Sequence, residues 1–378
     1  MNILLVSTQD YIHHPIPSRH HNIFEELATR HTVHVPHFHV STGPERDTRL
    51  VVHEATTFPV HNPLLHYTLN APTHFRVFDR IIREEEIDVV VGAHVLAGTA
   101  MVHAAKKNHR PVIFDLKDWF PDSAAAYYDN PLLKRVIHGT VHAVTRYNLA
   151  RSDVITTVSP GLVSLLADDG FTARLIPNGV NTALFRPRDG AGMRDALGIP
   201  GDALVIGFAG AVERWYALDD LIDLLPRVRA RHPGAVLLVV GGSLFTRYRE
   251  ELEARARDRG VADAVIFTGA VPYTALPEYI AAMDICTIPL RPAQWIQIAL
   301  PNKYFEYSAC GKPILTTPIP DVMAMGGSHV RTYQDQGSIL DGIDAFAASG
   351  APAPVDVEEH SWAHRARAFE ALFEEIIT

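Results

Sequence analysis

Lys303 and Glu306 lie three residues apart, and a helix opening at Pro301 or Asn302 puts both on one face of its first turns. The free N–H groups and positive dipole end of such a turn disfavour a cation there, by about 0.3 kcal/mol or more. A bound anion reverses that sign, so Asn302, Lys303 and Glu306 together suit an anionic ligand such as a diphosphate. Phe305 and Ala309 point the other way, toward a sheet. The plain alternative is a solvated Lys–Glu pair, which contributes little.

Other segments carry usable groups. PVIFDLKDWFPDS places Asp115, Lys117, Asp118 and Asp122 at and just beyond a strand end. Asp118 there can orient a hydroxyl group, or it can simply cap a helix. Arg214, shortly after Gly210, offers a guanidinium fork matched to phosphate oxygens, and the alternative is a solvent-facing Arg beside Glu213. Gly241 and Gly242 end a Leu/Val-rich run as backbone that lets a ligand or a neighbouring element come close, although a plain turn explains them equally well.

Histidine is abundant, and 17 of the 21 occur by His142, including His13, His14, His20 and His21. None has H-E-x-x-H spacing and no cysteine accompanies them, so the loop reads as solvated or substrate-facing, with no metal expected. No D-x-D triplet is present either, which implies that cationic side chains and helix N-termini, not a metal ion, would neutralise a diphosphate.

The elements that must position these groups alternate regularly. NILLVS, IDVVVGAH, PVIFDL and DVITTVS read as buried strands, with helices over Ile23–Thr29, Val95–Lys107 and Pro160–Asp168. After a Pro-, Arg- and Gly-rich stretch near 186–201 the grammar repeats: ALVIGFAG, AVLLVVGG, AVIFTG and ICTIPL, with helices over Leu218–Arg231, Thr246–Arg259 and Leu276–Met283. Two doubly wound α/β domains follow, each binding ligands beyond the carboxyl ends of its strands. The first strand lacks a following G-x-G-x-x-G, which disfavours a nicotinamide dehydrogenase.

A length of 378 residues suits two domains, and 47% hydrophobic with 20% charged residues suits two buried cores. The net charge of −9 argues against a nucleic-acid partner. Cys286 and Cys310 form no disulfide framework or zinc spacing, which points to a reducing compartment, and MNILLVST reads as a strand and not a leader peptide. Asn130–Arg151 carries Lys134, Arg135, Arg146 and Arg151 beside Leu133, Ile137, Val141 and Val144 at helical spacing. That pattern fits either a packed helix with a basic outer face or a contact with an anionic membrane surface.

Three strings resemble glycosyltransferase family 4, in the variant that builds surface polysaccharides: IPNGVNTALFRP (176–187), LPNKYFEYSACGKPI (300–314) and SWAHRARAFEALFEEI (361–376). The resemblance implies the GT-B fold of two Rossmann-like domains, at 1–187 and 188–361, with 362–378 as a helix crossing back onto the first. It assigns Glu306 to ribose hydroxyls and the Gly269–Pro272 loop, with Val271, to the nucleotide base. Gly210, Gly241, Gly242, Asn302 and Lys303 then belong to the donor site. Three departures stand out. Ile298 replaces a usual upstream glutamate, Lys117 replaces a histidine common before the acceptor-side aspartate, and Arg214 alone stands for a usual pair of cations.

The implied activity is transfer of a sugar from a nucleotide diphosphate sugar to a hydroxyl of a glycan or lipid-linked acceptor, with retention and no cofactor. Asp118, Arg214, Lys303 and Glu306 are its catalytic candidates, and the location is cytoplasmic or peripheral at the inner membrane face. A nucleotide-sugar epimerase on the same architecture, or a non-catalytic nucleotide-sugar-binding subunit, are the alternatives.

Overall fold

The computed structural model describes every residue except 9, 15, 42, 44, 126, 127, 129, 244, 245, 294–296, 351–354 and 378. It divides into two compact units: Met1–Asn178 with Trp362–Thr378 (unit 1), and Gly179–Ser361 (unit 2). The division falls nine residues before the expected 187/188 boundary. Val180 bridges to Ser361, and Phe185 is buried in unit 2's core with its ring 5.4 Å from Tyr273, so 179–187 is already part of unit 2.

Unit 1 is built on a parallel sheet of seven strands: β1 (Asn2–Val6), β2 (Thr32–His37), β3 (Val51–Glu54), β4 (Val89–Gly92), β5 (Val112–Leu116), β6 (Val154–Thr157) and β7 (Arg174–Leu175), in spatial order 3-2-1-4-5-6-7. β1, β4 and β5 are buried almost throughout, as a parallel sheet covered on both faces requires. Helix α1 (Arg19–Leu27) begins four residues earlier than its hydrophobic period suggests, because His21 accepts the Ser18 backbone N–H at 2.9 Å and closes the first turn. The helices over Ala71–Glu84, Val95–Lys107, Phe120–Ala125 and Pro131–Leu149 follow. The last begins where Asn130 accepts the N–H groups of Leu132 and Leu133 and Pro131 occupies the first helical position.

The final helix, Trp362–Ile377, packs on α1, where Trp362, Ala366, Phe369 and Phe373 join Ile23, Phe24 and Leu27 in one cluster. The expected face included Ile376, which is only half-buried, and missed Phe373, which is fully buried. At about 100° per residue Phe373 lies about 20° from Trp362 around the helix and so on the buried face, whereas Ile376 shares that face but sits in the last turn, one residue before the helix ends at Ile377.

Unit 2 repeats the plan with β8 (Val205–Ala209), β9 (Val236–Val240), β10 (Val265–Gly269), β11 (Ile285–Ile288), β12 (Ile314–Thr316) and β13 (Val330–Thr332), all parallel in the order 10-9-8-11-12-13. The order reverses between β8 and β11, where Cys286 pairs with Gly207. Such a switch point opens the crevice in which doubly wound sheets bind ligands. Both ends of unit 2 lie side by side, since the Val180 N–H donates to His360 O at 2.9 Å.

Candidate functional site

Unit 2 assembles its site from the loops after β8, β9 and β10 and from the helix Asn302–Ala309. The three loops are stitched by backbone: Gly210 N–H donates to Val240 O (2.8 Å), Val212 N–H to Gly242 O (3.0 Å) and Gly241 N–H to Gly269 O (3.0 Å). A Cβ on Gly241 (φ 133°) would lie 1.9 Å from Gly210 O, so this glycine admits the neighbouring loop's backbone. Gly241→Ala is therefore expected to destabilise unit 2 by roughly 2–4 kcal/mol, combining backbone strain with overpacking, read as a lowered urea midpoint.

Gly210 (φ 149°) makes room for a side chain, because a Cβ there would meet Lys303 Nζ at 2.3 Å and Cε at 2.6 Å. The ammonium donates to Tyr216 Oη at 3.0 Å and sits 4.7 Å and 5.2 Å from the centroids of the Tyr216 and Phe208 rings. Its helix has no side-chain cap, and Asn302 Oδ1 in the first turn is buried without a hydrogen-bond partner. An uncapped turn, an ammonium with donors to spare and an orphan acceptor form a polar cradle suited to an anion that also carries hydroxyl groups.

Glu306 is not the solvated residue of a surface pair, being 8% exposed. Tyr273 Oη donates to its Oε1 at 3.0 Å, and burial pushes its carboxyl up against the opposing Lys303 charge and this hydrogen bond. Tyr273 immediately follows the Gly269–Pro272 loop, so the half-buried Val271 and Glu306 are held in one register. Tyr307 fixes the helix beneath β8 by accepting the Ala209 N–H at 2.8 Å.

Arg214 departs from its expected place. It is exposed and ion-paired to Glu251, with its guanidinium 5.4 Å from the centre of the Tyr248 ring. Lys303 finds its partners in Tyr216 and Phe208 instead. The preceding Glu213 is fully buried and accepts the Thr246 hydroxyl at 2.6 Å, which turns Arg214 outward.

Unit 1 gathers polar groups at the ends of β1 and β5. Asp115 is buried and takes Arg19 Nε at 2.9 Å, Arg19 Nη2 at 3.3 Å, His20 Nε2 at 3.0 Å and the Thr156 hydroxyl at 2.8 Å. Burial raises its carboxyl, but Arg19 and His20 outweigh that and hold it well below the carboxylate range. His20 and His21 are thus interior groups, not the solvated loop residues expected, because both sit in the first turns of α1 facing the core. Burial pushes His21 down to about 3, and His94, which accepts the N–H groups of Leu96 and Ala97, likewise to about 3.

Beyond this network Lys117 and Asp118 stand half-buried. Burial pushes the Lys117 ammonium down to about 8 against the pull of Asp118 and Asp115, and pushes the Asp118 carboxyl up against Ser123 and Lys117. Asp118 and Lys117 are adjacent in unit 1, whereas unit 2 brings Lys303 against Gly210, with Asn302 and Glu306 on the same helix and Val271 two residues before Tyr273, the partner of Glu306.

Sequence reasoning missed Tyr216, Tyr273 and Arg19, and it named Asp115 and His20 without pairing them. An aspartate inside the apolar run VIFDL was the one available signal for that pairing.

Two family models match the chain: Glycosyltransferase Family 4 over residues 20–184, and Glycosyl transferases group 1 over residues 203–348. A D-inositol 3-phosphate glycosyltransferase of Acidothermus cellulolyticus is 33% identical over 198 residues, covering 50% of this chain and 42% of the relative. A GDP-mannose-dependent alpha-(1-6)-phosphatidylinositol monomannoside mannosyltransferase of Mycolicibacterium smegmatis is 34% identical over 209 residues, covering 53% and 52%. The chain's match thus spans about half the length of these relatives.

Among solved structures, sucrose-phosphate synthase from Thermosynechococcus elongatus superposes with TM-score 0.74 at 18% identity, covering 99% of this chain and 96% of that one. Anabaena HepE, solved with UDP-glucose, superposes with TM-score 0.68 at 18% identity, covering 100% and 98%. These likenesses show the GT-B fold, and with the two family models, one on each half, the chain belongs to glycosyltransferase family 4.

Proposed function

We propose that this protein transfers a sugar from a nucleotide diphosphate sugar to a hydroxyl of a glycan or lipid-linked acceptor, with retention of anomeric configuration. The observation that carries the reading is the seat of Lys303. Its ammonium lies against Gly210 at the switch point of unit 2, in the uncapped first turn of a helix whose next inward polar group is Glu306. In the reaction the bond from the anomeric carbon to the diphosphate oxygen breaks, a bond from that carbon to the acceptor oxygen forms, and the acceptor's proton leaves with the diphosphate. Negative charge grows on the departing oxygen, so pre-placed N–H groups and Lys303 would contribute most at the transition state. Glu306, held by Tyr273, accepts from the ribose hydroxyls, and the 269–272 loop meets the base through its backbone. Arg214 reaches the diphosphate only by leaving Glu251.

A screen of nucleotide sugars for thermal stabilisation tests the donor, because a ligand bound only by the folded state raises its apparent stability. Product analysis with donor alone, then with glycan and lipid-linked acceptors, tests the transfer. Rearranged donor formed without an acceptor would count against it.

Lys117 and Asp118 form the acceptor-side pair in this reading. With its ordinary value near 10.5 and its folded value near 8, Lys117 is charged in both states below pH 8. Between those values the unfolded chain binds more protons, so stability rises with pH across that window. Turnover that relies on the ammonium should instead fall as pH passes about 8. Lys117→Arg, whose charge persists, should move that alkaline limb out of the profile of kcat/KM, and an unchanged limb would detach Lys117 from the site.

The helix Pro131–Leu149 is the proposed membrane contact, and its usable part is shorter than the sequence stripe. Ile137, Val141 and Val144 are half-buried and Arg146 pairs with Asp169, whereas Leu132 (72% exposed), Leu133 and Val136 stand outward beside exposed Lys134 and Arg135. Among the described residues no helix is long and apolar enough to cross a membrane. Leu132→Glu should abolish co-sedimentation with phosphatidylglycerol vesicles, and wild-type binding by that variant would remove this surface.

A further inference from the structure

We infer that unit 1 binds one divalent transition-metal ion of the zinc class through His13, His37 and His39, with Glu54 as the oxygen ligand, at a site separate from the nucleotide cradle of unit 2. The three imidazoles each offer one nitrogen, and these nitrogens lie within 4.8 Å of one another. A tetrahedral ion with Zn–N bonds of about 2.0–2.1 Å needs them about 3.3 Å apart, a change that rotation of the rings supplies.

The frame around them is built. His37 and Glu54 are the last residues of β2 and β3 and are register partners in the sheet, so the ladder fixes their separation. Glu54 Oε2 lies 2.5 Å from His39 Nε2, where a proton stands in the place an ion would take, and Oε1 lies 3.4 Å from His37 Nδ1, an outer contact that leaves Nε2 as the ligating nitrogen of His37. His13 Nδ1 donates to Gly43 O at 2.7 Å, which leaves Nε2 as the lone-pair nitrogen, the arrangement that outer partners impose on metal-binding histidines.

Asp10 organises the site without being a ligand. Its Oδ2 accepts the N–H groups of Val40 and Ser41, both at 3.1 Å, and its Oδ1 those of Ile12 and His13 at 3.3 Å and 3.4 Å, so one buried carboxylate ties both histidine-bearing loops together.

Two observations make the cluster more than a histidine-rich loop. His37 is 5% exposed, yet its Nε2 has no hydrogen-bond partner, with Asp10 Oδ1 3.7 Å away. His39 holds a positive φ of 51°, a conformation unusual for a residue with a side chain and kept where the surroundings demand it. Beside them opens a cavity of about 430 Å³ lined by His39, Ser41, Glu54, Thr56 and His61, which gives an ion an entry path. The other histidine cluster, His34 with His53 and Glu85, differs because His34 Nδ1 and His53 Nε2 already satisfy each other at 2.9 Å.

The full-length protein, stripped with chelator and dialysed, should be titrated with Zn²⁺ by calorimetry and with Co²⁺ by visible absorption. The expected result is one ion per chain and cobalt bands of tetrahedral intensity, read without reference to turnover. His37→Gln and His39→Asn should each weaken Zn²⁺ binding at least 100-fold, and Glu54→Gln about 10-fold. His39→Asn preserves a residue that tolerates positive φ, so its loss of binding cannot be assigned to misfolding, and circular dichroism checks the fold of His37→Gln. His34→Gln should leave Zn²⁺ affinity unchanged. Absence of stoichiometric binding, binding that survives both His37→Gln and His39→Asn, or binding lost with His34→Gln would each overturn the assignment.

Discussion

Lys303→Ala is expected to lower kcat by about 10²–10³-fold, the scale on which removal of one pre-placed charge-stabilising donor acts. Binding should discriminate further. Lys303 is proposed to meet the diphosphate, so its loss should weaken a nucleoside diphosphate by about 10–100-fold and leave the nucleoside nearly unaffected, given about 1.5–3 kcal/mol for a hydrogen bond to a charged group. Glu306→Ala should weaken both ligands, because its proposed partner is the ribose, and it also leaves the Tyr273 hydroxyl without its acceptor. Calorimetric titration of each variant with both ligands checks the pair. Affinity and turnover like those of the wild type in both would remove this helix from the donor site.

Removal of residues 362–378 is the second change expected to have a large effect. Trp362, Phe369, Leu372 and Phe373 are at most 5% exposed in unit 1's core, and the Phe369 and Phe24 rings lie 5.9 Å apart. At roughly 1.5–3 kcal/mol for each large apolar side chain, the loss approaches the 5–15 kcal/mol by which whole domains are stable. The effect should reach the polar network as well, since the Arg19 guanidinium lies 5.5 Å from the Phe369 centroid while its Nε holds Asp115. A chain ending at Ser361 should therefore lose unit 1's cooperative thermal transition or become insoluble. A soluble truncated chain with unchanged thermal stability would show that the helix contributes nothing to this core.

The doubly wound plan was legible because it rests on local periods. Strand and helix patterns alternate in Leu218–Arg231 and AVLLVVGG as they do in the fold, and Val95–Lys107 and Pro160–Asp168 end where the sequence places them. β3 (VVHE) and β13 (VRT) were not legible, being short, largely exposed sheet-edge strands with little apolar pattern. The site divided in the same way. Lys303 and Glu306 share a helix and could be paired by spacing, but Tyr273 lies 33 residues from Glu306 and Tyr216 87 from Lys303, distances that only the crossover topology closes. The direction of Arg214 was not legible because it is decided by the burial of Glu213, a neighbour whose acceptor role depends on Thr246 in another loop. The histidines misled for a related reason: a polar residue type says nothing about burial once Asp115 or a backbone group is at hand to satisfy it.

The return of the chain into unit 1 through its last helix separates the order of synthesis from the order of folding. Unit 2 is continuous, with its two ends side by side at Val180 and Ser361, and all its residues are present once Ser361 has been made. Unit 1 begins first yet lacks a layer of its core until 362–377 arrive. At about 5–20 residues per second, translation of the intervening segment holds unit 1 incomplete for roughly ten to forty seconds. Throughout that interval Ile23, Phe24 and Leu27 have no partner from the final helix, so the nascent chain carries exposed apolar surface that the finished unit covers, the kind of surface on which partly folded chains aggregate.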